Sequence, residues 1–155
     1  MANIRSFKDL RVWRNAVDAA MLIYELTNQF PKEEKFSMVD QFRRSSRSVA
    51  ANIAEGWRKR RYPAAFVCKL SDAEGEATET QTWTELALRC AYLSSETAAD
   101  LDKRYEAILG QLVNMIARPE DWVIREDRGA SRSESLRSRI SASPHPRVSA
   151  SRRQN

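Results

Sequence analysis

The chain is poor in histidine and cysteine, the side chains that supply most zinc ligands and thiol–imidazole catalysts in proteins. Its 155 residues include one histidine and two cysteines, and neither a CxxC nor an HExxH spacing occurs. A zinc site or a thiol–imidazole pair therefore lacks its parts, and no glycine-rich loop is present to hold a phosphate. The sequence predicts a protein that is not an enzyme, with no catalytic residue, no metal ligand set and no cofactor.

The two cysteines give no sign of a disulfide. Cys68 and Cys90 lie 22 residues apart, within what is predicted below to be one helix. At about 1.5 Å per residue the helix would separate them by about 33 Å, far beyond the reach of a disulfide. We expect two reduced thiols, buried or half-buried, in a reducing compartment.

Long apolar runs are also missing. No stretch approaches the roughly 20 apolar residues of a membrane span. The first ten residues, MANIRSFKDL, lack the apolar segment of a signal peptide. Only four glycines occur, and no segment alternates apolar and polar residues as a half-buried strand does. The sequence therefore predicts a cytoplasmic, all-α protein.

The net charge of +5 belongs to the end of the chain. Residues 123–155 hold eight arginines against three acidic side chains. Residues 125–155, which include His145, are rich in serine and arginine and nearly free of large apolar side chains, so we predict a disordered tail after a folded domain of residues 1–124. We interpret the tail as a solvated extension; a basic arm that contacts phosphates is the alternative.

Apolar residues recur at steps of three and four in four segments, a spacing typical of amphipathic helices. The first helix is predicted to begin at Ser6, where Ser6 and Asp9 have the spacing of a capping box. It is predicted to end before Pro31, because proline disfavours helical backbone in the preceding residue. Its predicted apolar stripe is Leu10, Trp13, Val17, Ala20, Tyr24 and Thr27.

The other three helices follow with short connections. The second is predicted over about residues 36–60, and the third begins at Pro63, which suits a first helical turn. The fourth is predicted to begin at a cap on Ser94 or Ser95 and to end near Pro119. Short connections favour antiparallel neighbours, so the predicted fold is an up-down-up-down antiparallel four-helix bundle. The predicted apolar stripe of the second helix is Val39, Phe42, Ser46, Val49, Ile53 and Trp57. That of the third helix is Phe66, Leu70, Ala73, Ala77, Thr80, Thr84, Ala87 and Ala91, and that of the fourth is Leu101, Tyr105, Ile108, Leu112 and Met115.

Three strings within these helices carry a family resemblance. They are SFKDLRVWRNAVDAAMLIYELTNQFPKEEKF, DQFRRSSRSVAANIAEGW and ETQTWTELALRCAYLS. In this order they resemble the four-helix-bundle family first described as proteins encoded in intervening sequences of bacterial 23S ribosomal RNA genes, which also includes accessory variability proteins of diversity-generating retroelements. The resemblance covers about residues 7–122, and the middle string is its most specific part. Glu76 and Thr84 depart from it, since the family more often has small or apolar residues there.

The resemblance implies more than a fold. It implies four antiparallel helices that assemble into a ring-like homopentamer. In the retroelement branch it also implies binding to nucleic acid through a basic surface and binding to a reverse transcriptase.

The second helix places a basic stripe beside its apolar stripe. Residues 35–61 carry eight basic and two acidic side chains, and at about 100° per residue the arginines share an arc next to the apolar one. Arginine suits phosphate because its planar fork holds two oxygens at once. We predict a surface that binds nucleic acid without reading base sequence, formed by Arg43, Arg44, Arg47, Arg58, Lys59, Arg60 and Arg61.

The same arginines allow a second interpretation. Asp72, Glu76 and Glu79 form an acidic row on the third helix, and the basic stripe is expected to pair with this row if the two lie together, within or between subunits. In that case the protein is a protein–protein scaffold without a nucleic-acid role. Glu55 is likewise open to two interpretations: a polar contact at a helix or subunit junction, or a solvent-facing residue paired with Lys59 at i,i+4 spacing.

Two tryptophans point to self-association. Trp57 lies on the apolar stripe, so a buried core or interface position is favoured over base stacking. Trp83 lies near the acidic row, away from the apolar stripe of its helix, as expected at a subunit contact. The predicted oligomer interface comprises Trp57, Glu76, Glu79 and Trp83.

Overall fold

The computed structural model describes residues 3–124, and four α-helices make up most of this part. The predicted tail, residues 125–155, lies outside the described residues, so its disorder and the domain boundary stay predictions. Short 3₁₀ turns precede α1, precede α2 and follow α4. The helices are α1 (Arg11–Thr27), α2 (Met38–Arg58), α3 (Pro63–Arg89) and α4 (Ser95–Ala117), and the turns are Phe7–Asp9, Lys32–Glu34 and Pro119–Asp121.

The helices close into a ring of neighbours. Each helix contacts the next one along the chain, and α1 contacts α4. Within residues 3–124 the backbones of the diagonal pairs, α1 with α3 and α2 with α4, do not approach each other closely. The predicted antiparallel four-helix bundle is confirmed. None of the helices described is long and apolar enough to cross a membrane.

One hydrophobic core runs through the bundle from Leu10 to Met115. In α2 and α4 every residue of the predicted stripes is buried, and in α3 the stripe is buried from Phe66 to Ala87. Pro63 occupies the first turn of α3, and Ser94 caps α4 by accepting a hydrogen bond from the Thr97 backbone N–H at 3.1 Å. The local patterns of these three helices therefore predicted their buried faces correctly.

The prediction for α1 was wrong in its start and its register. The capping box of Ser6 and Asp9 exists, but it closes only the 3₁₀ turn. Leu10 is extended, so α1 begins at Arg11. Trp13 is half-buried and lies edge-on to Phe7, with ring centroids 5.2 Å apart. Apolar residues occupy several sides of this helix, so its spacing fits two registers; the buried set is Val12, Ala16, Ala19, Ile23 and Thr27.

The end of α3 also differs from prediction. Ala91 was expected on the buried stripe, but it is exposed and has a left-handed backbone, φ 60°. The N–H groups of Ala91 and Tyr92 donate to the carbonyls of Leu88 and Ala87, both at 2.9 Å, which is the Schellman pattern of helix termination. Cys90 lies at this end and is an exposed free thiol.

Cys68, within α3, is likewise exposed and free, so the expectation of buried or half-buried thiols was wrong for both cysteines. Cys68 lies two residues from each of the buried residues Phe66 and Leu70 and is therefore off the buried stripe. Cys90 follows Ala87 by three residues, but it is the residue at which α3 ends.

The α2–α3 interface is the most extensive in the bundle, and small residues allow the close approach. A Cβ atom on Gly56 would lie 3.3 Å from Leu70 Cδ2, tighter than ordinary contact. Further along, the buried Thr80 hydroxyl donates to the buried Ser45 hydroxyl at 2.9 Å. Buried polar groups are costly unless paired, and this bond pairs two of them across the α2–α3 interface.

Candidate nucleic-acid interface

Arg43 lies on the side of α2 that faces α1. Its Nε donates to the Thr27 hydroxyl at 2.8 Å, and its Nη2 donates to the side-chain carbonyl of Asn28 at 3.0 Å. Its guanidinium also lies 4.7 Å from the centroid of the Tyr24 ring. The side chain is half-buried and ties α1 to α2. Its Nη2 also donates to the Tyr24 carbonyl at 3.3 Å, so three of the five N–H donors of this guanidinium are used within the bundle.

Arg44 lies on the opposite edge and reaches α3. Its guanidinium donates to Glu79 at 2.7 Å and to both carboxylate oxygens of Glu76 at 3.2 and 3.3 Å. The hydrogen bond from Arg44 lowers the pKa of Glu79, and the bonds to Glu79 and then Glu76 raise the pKa of Arg44. At this position the structure contains the arginine–carboxylate cluster that was the alternative interpretation.

Arg47 and Arg58 lie between these two edges and point to solvent. Both are exposed, and no carboxylate of residues 3–124 forms a salt bridge with either. They are separated by three turns of α2, about 16 Å. The exposed Ala51 lies between them, so no bulky side chain covers this face.

Lys59, Arg60 and Arg61 follow the end of α2, which is reached at Arg58. The predicted continuation of the helix to residue 60 was therefore slightly too long. Lys59 and Arg61 are exposed, and neither has a salt bridge to an acidic residue of the described chain. Arg60 is half-buried: its guanidinium carbon lies 3.3 Å from the centroid of the Trp57 ring, and its Nε donates to the Trp57 carbonyl at 2.8 Å.

The structure agrees with the first of the two interpretations of Glu55, a polar contact at a helix junction. Glu55 pairs with Lys69 of α3, with 2.8 Å between Nζ and Oε2, and not with Lys59. The reason lies in the tertiary structure, because α3 packs against α2 and brings Lys69 to the carboxylate of Glu55. The hydrogen bond and charge of Lys69 lower the pKa of Glu55. Lys59 is thereby left to solvent.

The four residues predicted for an oligomer interface are mostly engaged within the chain. Trp57 is 7% exposed and belongs to the core. Glu76 and Glu79 bind Arg44, and the indole N–H of Trp83 donates to Glu79 at 3.2 Å. Trp83 is partly buried and packs against the core. Their role between subunits stays a prediction.

Tyr62 was not among the predicted site residues. It is 64% exposed and extended, with φ −122° and ψ 98°. A signal for it existed in the sequence, since an aromatic residue directly after four basic ones and before a proline is restricted to extended backbone. Such a residue is presented beside the cations and not folded into a helix.

Four exposed cations of the predicted surface lie on and just after α2. Arg47, Arg58, Lys59 and Arg61 are called the open basic face below. The acidic residues of α2 are Asp40, two turns before Arg47, and Glu55, which Lys69 holds. Chemically, this face can donate several charge-assisted hydrogen bonds to an anion that comes from solvent. In residues 3–124 no group of three or more acidic, cysteine or histidine side chains is arranged to hold a metal ion.

Two comparisons with known proteins found similar proteins. The model of the 23S rRNA-intervening sequence protein family matches residues 8–114. A crystal structure of a protein of unknown function from the S23 ribosomal protein family of Bacteroides thetaiotaomicron is similar, with 31% sequence identity and a TM-score of 0.62. The similarity covers 68% of this chain and 95% of that one. No curated protein matches the chain.

Proposed function

We propose that this chain, which belongs to the 23S rRNA-intervening sequence protein family, is a non-enzymatic, homo-oligomeric protein of the cytoplasm that binds nucleic acid through the open basic face. One observation carries the proposal. Four cations on and just after α2 are exposed and without an acidic partner among residues 3–124. Their neighbours Arg43 and Arg44 are held by α1 and α3.

The chemistry of the face favours a polyanion. Exposed cations attract phosphates and release the counterions that surround a nucleic acid, which makes such binding strong at low salt and weak at high salt. Three of the four cations are arginines, whose planar fork matches two phosphate oxygens. Phosphates carry no base identity, so this part of the interaction is independent of sequence. RNA and DNA are both suitable ligands.

Self-association would strengthen the same surface. We propose a homopentamer, the assembly that the family resemblance implies, with Trp83 and the Arg44–Glu76–Glu79 cluster near the subunit contact. A ring repeats the open basic face around its axis, and repeated positive charge adds to the potential that attracts a polyanion. A reverse transcriptase is a further proposed partner, supported by the resemblance alone.

Charge reversal on the full chain tests the proposal. Binding of a fluorescently labelled RNA hairpin is measured by anisotropy across a salt series for the wild type, Arg47→Glu and Lys103→Glu. Lys103 is a matched control, because it is an exposed cation on α4, diagonal to α2. We expect Arg47→Glu to weaken binding and to reduce the salt slope by about one unit, and Lys103→Glu to change little.

Absence of RNA binding by the wild type at low salt contradicts the proposal. Equal losses of RNA affinity in Arg47→Glu and Lys103→Glu contradict it as well, because they would show that binding depends on the net charge of the protein and not on the open basic face. The basic residues after Ile124 are tested by a chain that ends at residue 124, which keeps the whole core from Leu10 to Met115. If all affinity disappears with residues 125–155, the bundle is not the binding element.

The second candidate function is a protein–protein scaffold, and the Arg44 cluster favours it. In this cluster one arginine binds two carboxylates, so its charge stabilises contacts within the protein. Under this function Arg44→Glu dissociates the oligomer in sedimentation, and Arg47→Glu leaves RNA binding unchanged. Under the nucleic-acid function Arg47→Glu weakens RNA binding whatever the effect of Arg44→Glu on assembly.

A further inference from the structure

A small cavity, open to solvent, lies at the connection between α2 and α3 and shares Arg58 and Arg61 with the open basic face. Its volume is about 330 Å³, near the lower end of the roughly 300–1,000 Å³ of small-molecule sites. Aromatic and cationic side chains form most of its wall. The lining residues are Trp57, Arg58, Arg60, Arg61, Tyr62 and Ile124.

Arg60 is a preformed planar wall of this cavity. The Trp57 ring lies on one side of its guanidinium, with 3.3 Å between the guanidinium carbon and the ring centroid. The backbone is fixed too, because the Arg60 carbonyl accepts a hydrogen bond from the Ile124 N–H at 3.1 Å. No carboxylate of residues 3–124 pairs with this guanidinium. Burial, and then the charge of Arg58, lower the pKa of Arg60.

Tyr62 supplies a second flat surface. Its ring is 64% exposed, although a tyrosine that stabilises the bundle would be covered. The backbone is held on both sides, since the Tyr62 N–H donates to the Lys59 carbonyl at 2.9 Å and Pro63 starts α3. The ring is therefore presented to solvent by a short, ordered connection.

The geometry points to a pocket for one unpaired nucleobase, stacked on Tyr62 and on the free side of the Arg60 guanidinium, with Arg58 and Arg61 on the flanking phosphates. Aromatic rings and arginine planes are the surfaces on which proteins stack unpaired bases. A duplex keeps its bases stacked inside and offers this pocket only phosphate. The protein thus prefers single-stranded nucleic acid. This inference rests on the proposed function and adds the class of ligand.

The test compares single and double strands on the full chain. The probe is an RNA strand of about 20 nucleotides, of mixed sequence that does not fold on itself, with one central 2-aminopurine, alone or paired with its complement, and the variants are Tyr62→Ala and Tyr62→Phe. Stacking quenches 2-aminopurine fluorescence. We expect Tyr62→Ala to weaken single-strand binding by about 5- to 100-fold, to abolish the quenching and to change duplex binding less than twofold. Tyr62→Phe, which keeps the ring, should behave as the wild type.

The two proposals fail in different ways. If Tyr62→Ala changes single-strand and duplex binding equally, or changes neither, while Arg47→Glu weakens both, the base pocket is wrong and the proposed function stands. If the wild type binds neither probe at low salt, both are wrong. Unchanged thermal unfolding of Tyr62→Ala, expected for an exposed side chain, confirms that the comparison concerns binding.

Discussion

Arg44 of α2 donates a 2.7 Å hydrogen bond to Glu79 of α3, so one cation of the predicted basic surface is neutralised within its own chain. Glu76 accepts two more hydrogen bonds from the same guanidinium. The arginines of α2 therefore have two different roles. Those that reach a neighbouring helix support the bundle, and those that face solvent between the helices are left for a ligand.

This division predicts separate effects for Arg44 and Arg47. Arg44→Ala should lower the free energy of unfolding by no more than about 1 kcal/mol, because the pair is well exposed, 42% for Arg44 and 37% for Glu79. It should leave RNA binding nearly unchanged. Arg47→Ala should weaken RNA binding and leave the free energy of unfolding nearly unchanged. Urea unfolding and RNA anisotropy measure the two effects. A double-mutant cycle with Glu79→Ala isolates the pair, and a loss of RNA affinity for Arg44→Ala as large as that for Arg47→Ala contradicts the division.

The same pair makes stability depend on pH in a defined direction. Because Arg44 lowers the pKa of Glu79, the folded chain binds fewer protons at this group than the unfolded chain near the unfolded pKa of about 4.3. Its stabilisation is thus present above that pH and is lost as the pH falls through the lower folded pKa.

We expect the midpoint of thermal unfolding of the wild type to exceed that of Glu79→Gln near neutral pH. The difference should shrink as the pH falls from about 5 to about 3. Differential scanning calorimetry at several pH values measures it. A difference that stays constant over this range would show that Arg44 does not act through the charge of Glu79.

The end of α3 offers a stabilising substitution. Ala91 has a left-handed backbone, φ 60°, where a side chain costs roughly 1 kcal/mol and glycine does not. Ala91→Gly should therefore raise the free energy of unfolding by up to about 1 kcal/mol. Part of this gain is offset because glycine also increases the conformational entropy of the unfolded chain.

Ala99→Gly is the matched control. Ala99 is exposed within α4, where glycine costs about 1 kcal/mol relative to alanine. The two identical substitutions should change urea unfolding in opposite directions. Destabilisation by both would show that the Ala91 backbone carries no strain.

The sequence predicted most of the fold, and its failures have physical causes. The family and the bundle are confirmed, and the stripes of α2 and α4 are buried as expected. For α1, apolar residues on several sides left the register open, and packing against α2 and α4 chose it. The sequence left Glu55 open between a contact at a helix junction and a pair with Lys59, because local spacing cannot show Lys69, which only the approach of α3 brings to 2.8 Å.

By itself the sequence determined which faces of α2, α3 and α4 are buried, since helical periodicity is a local property of the chain. It also placed the cations next to the apolar stripe of α2. Only the tertiary structure decided which cations stay open to a ligand. Arg43 and Arg47 are four residues apart on one side of α2, yet Arg43 binds Thr27 of α1 and Arg47 meets solvent. The difference arises because hydrogen-bond acceptors on other helices reach one position and not the other.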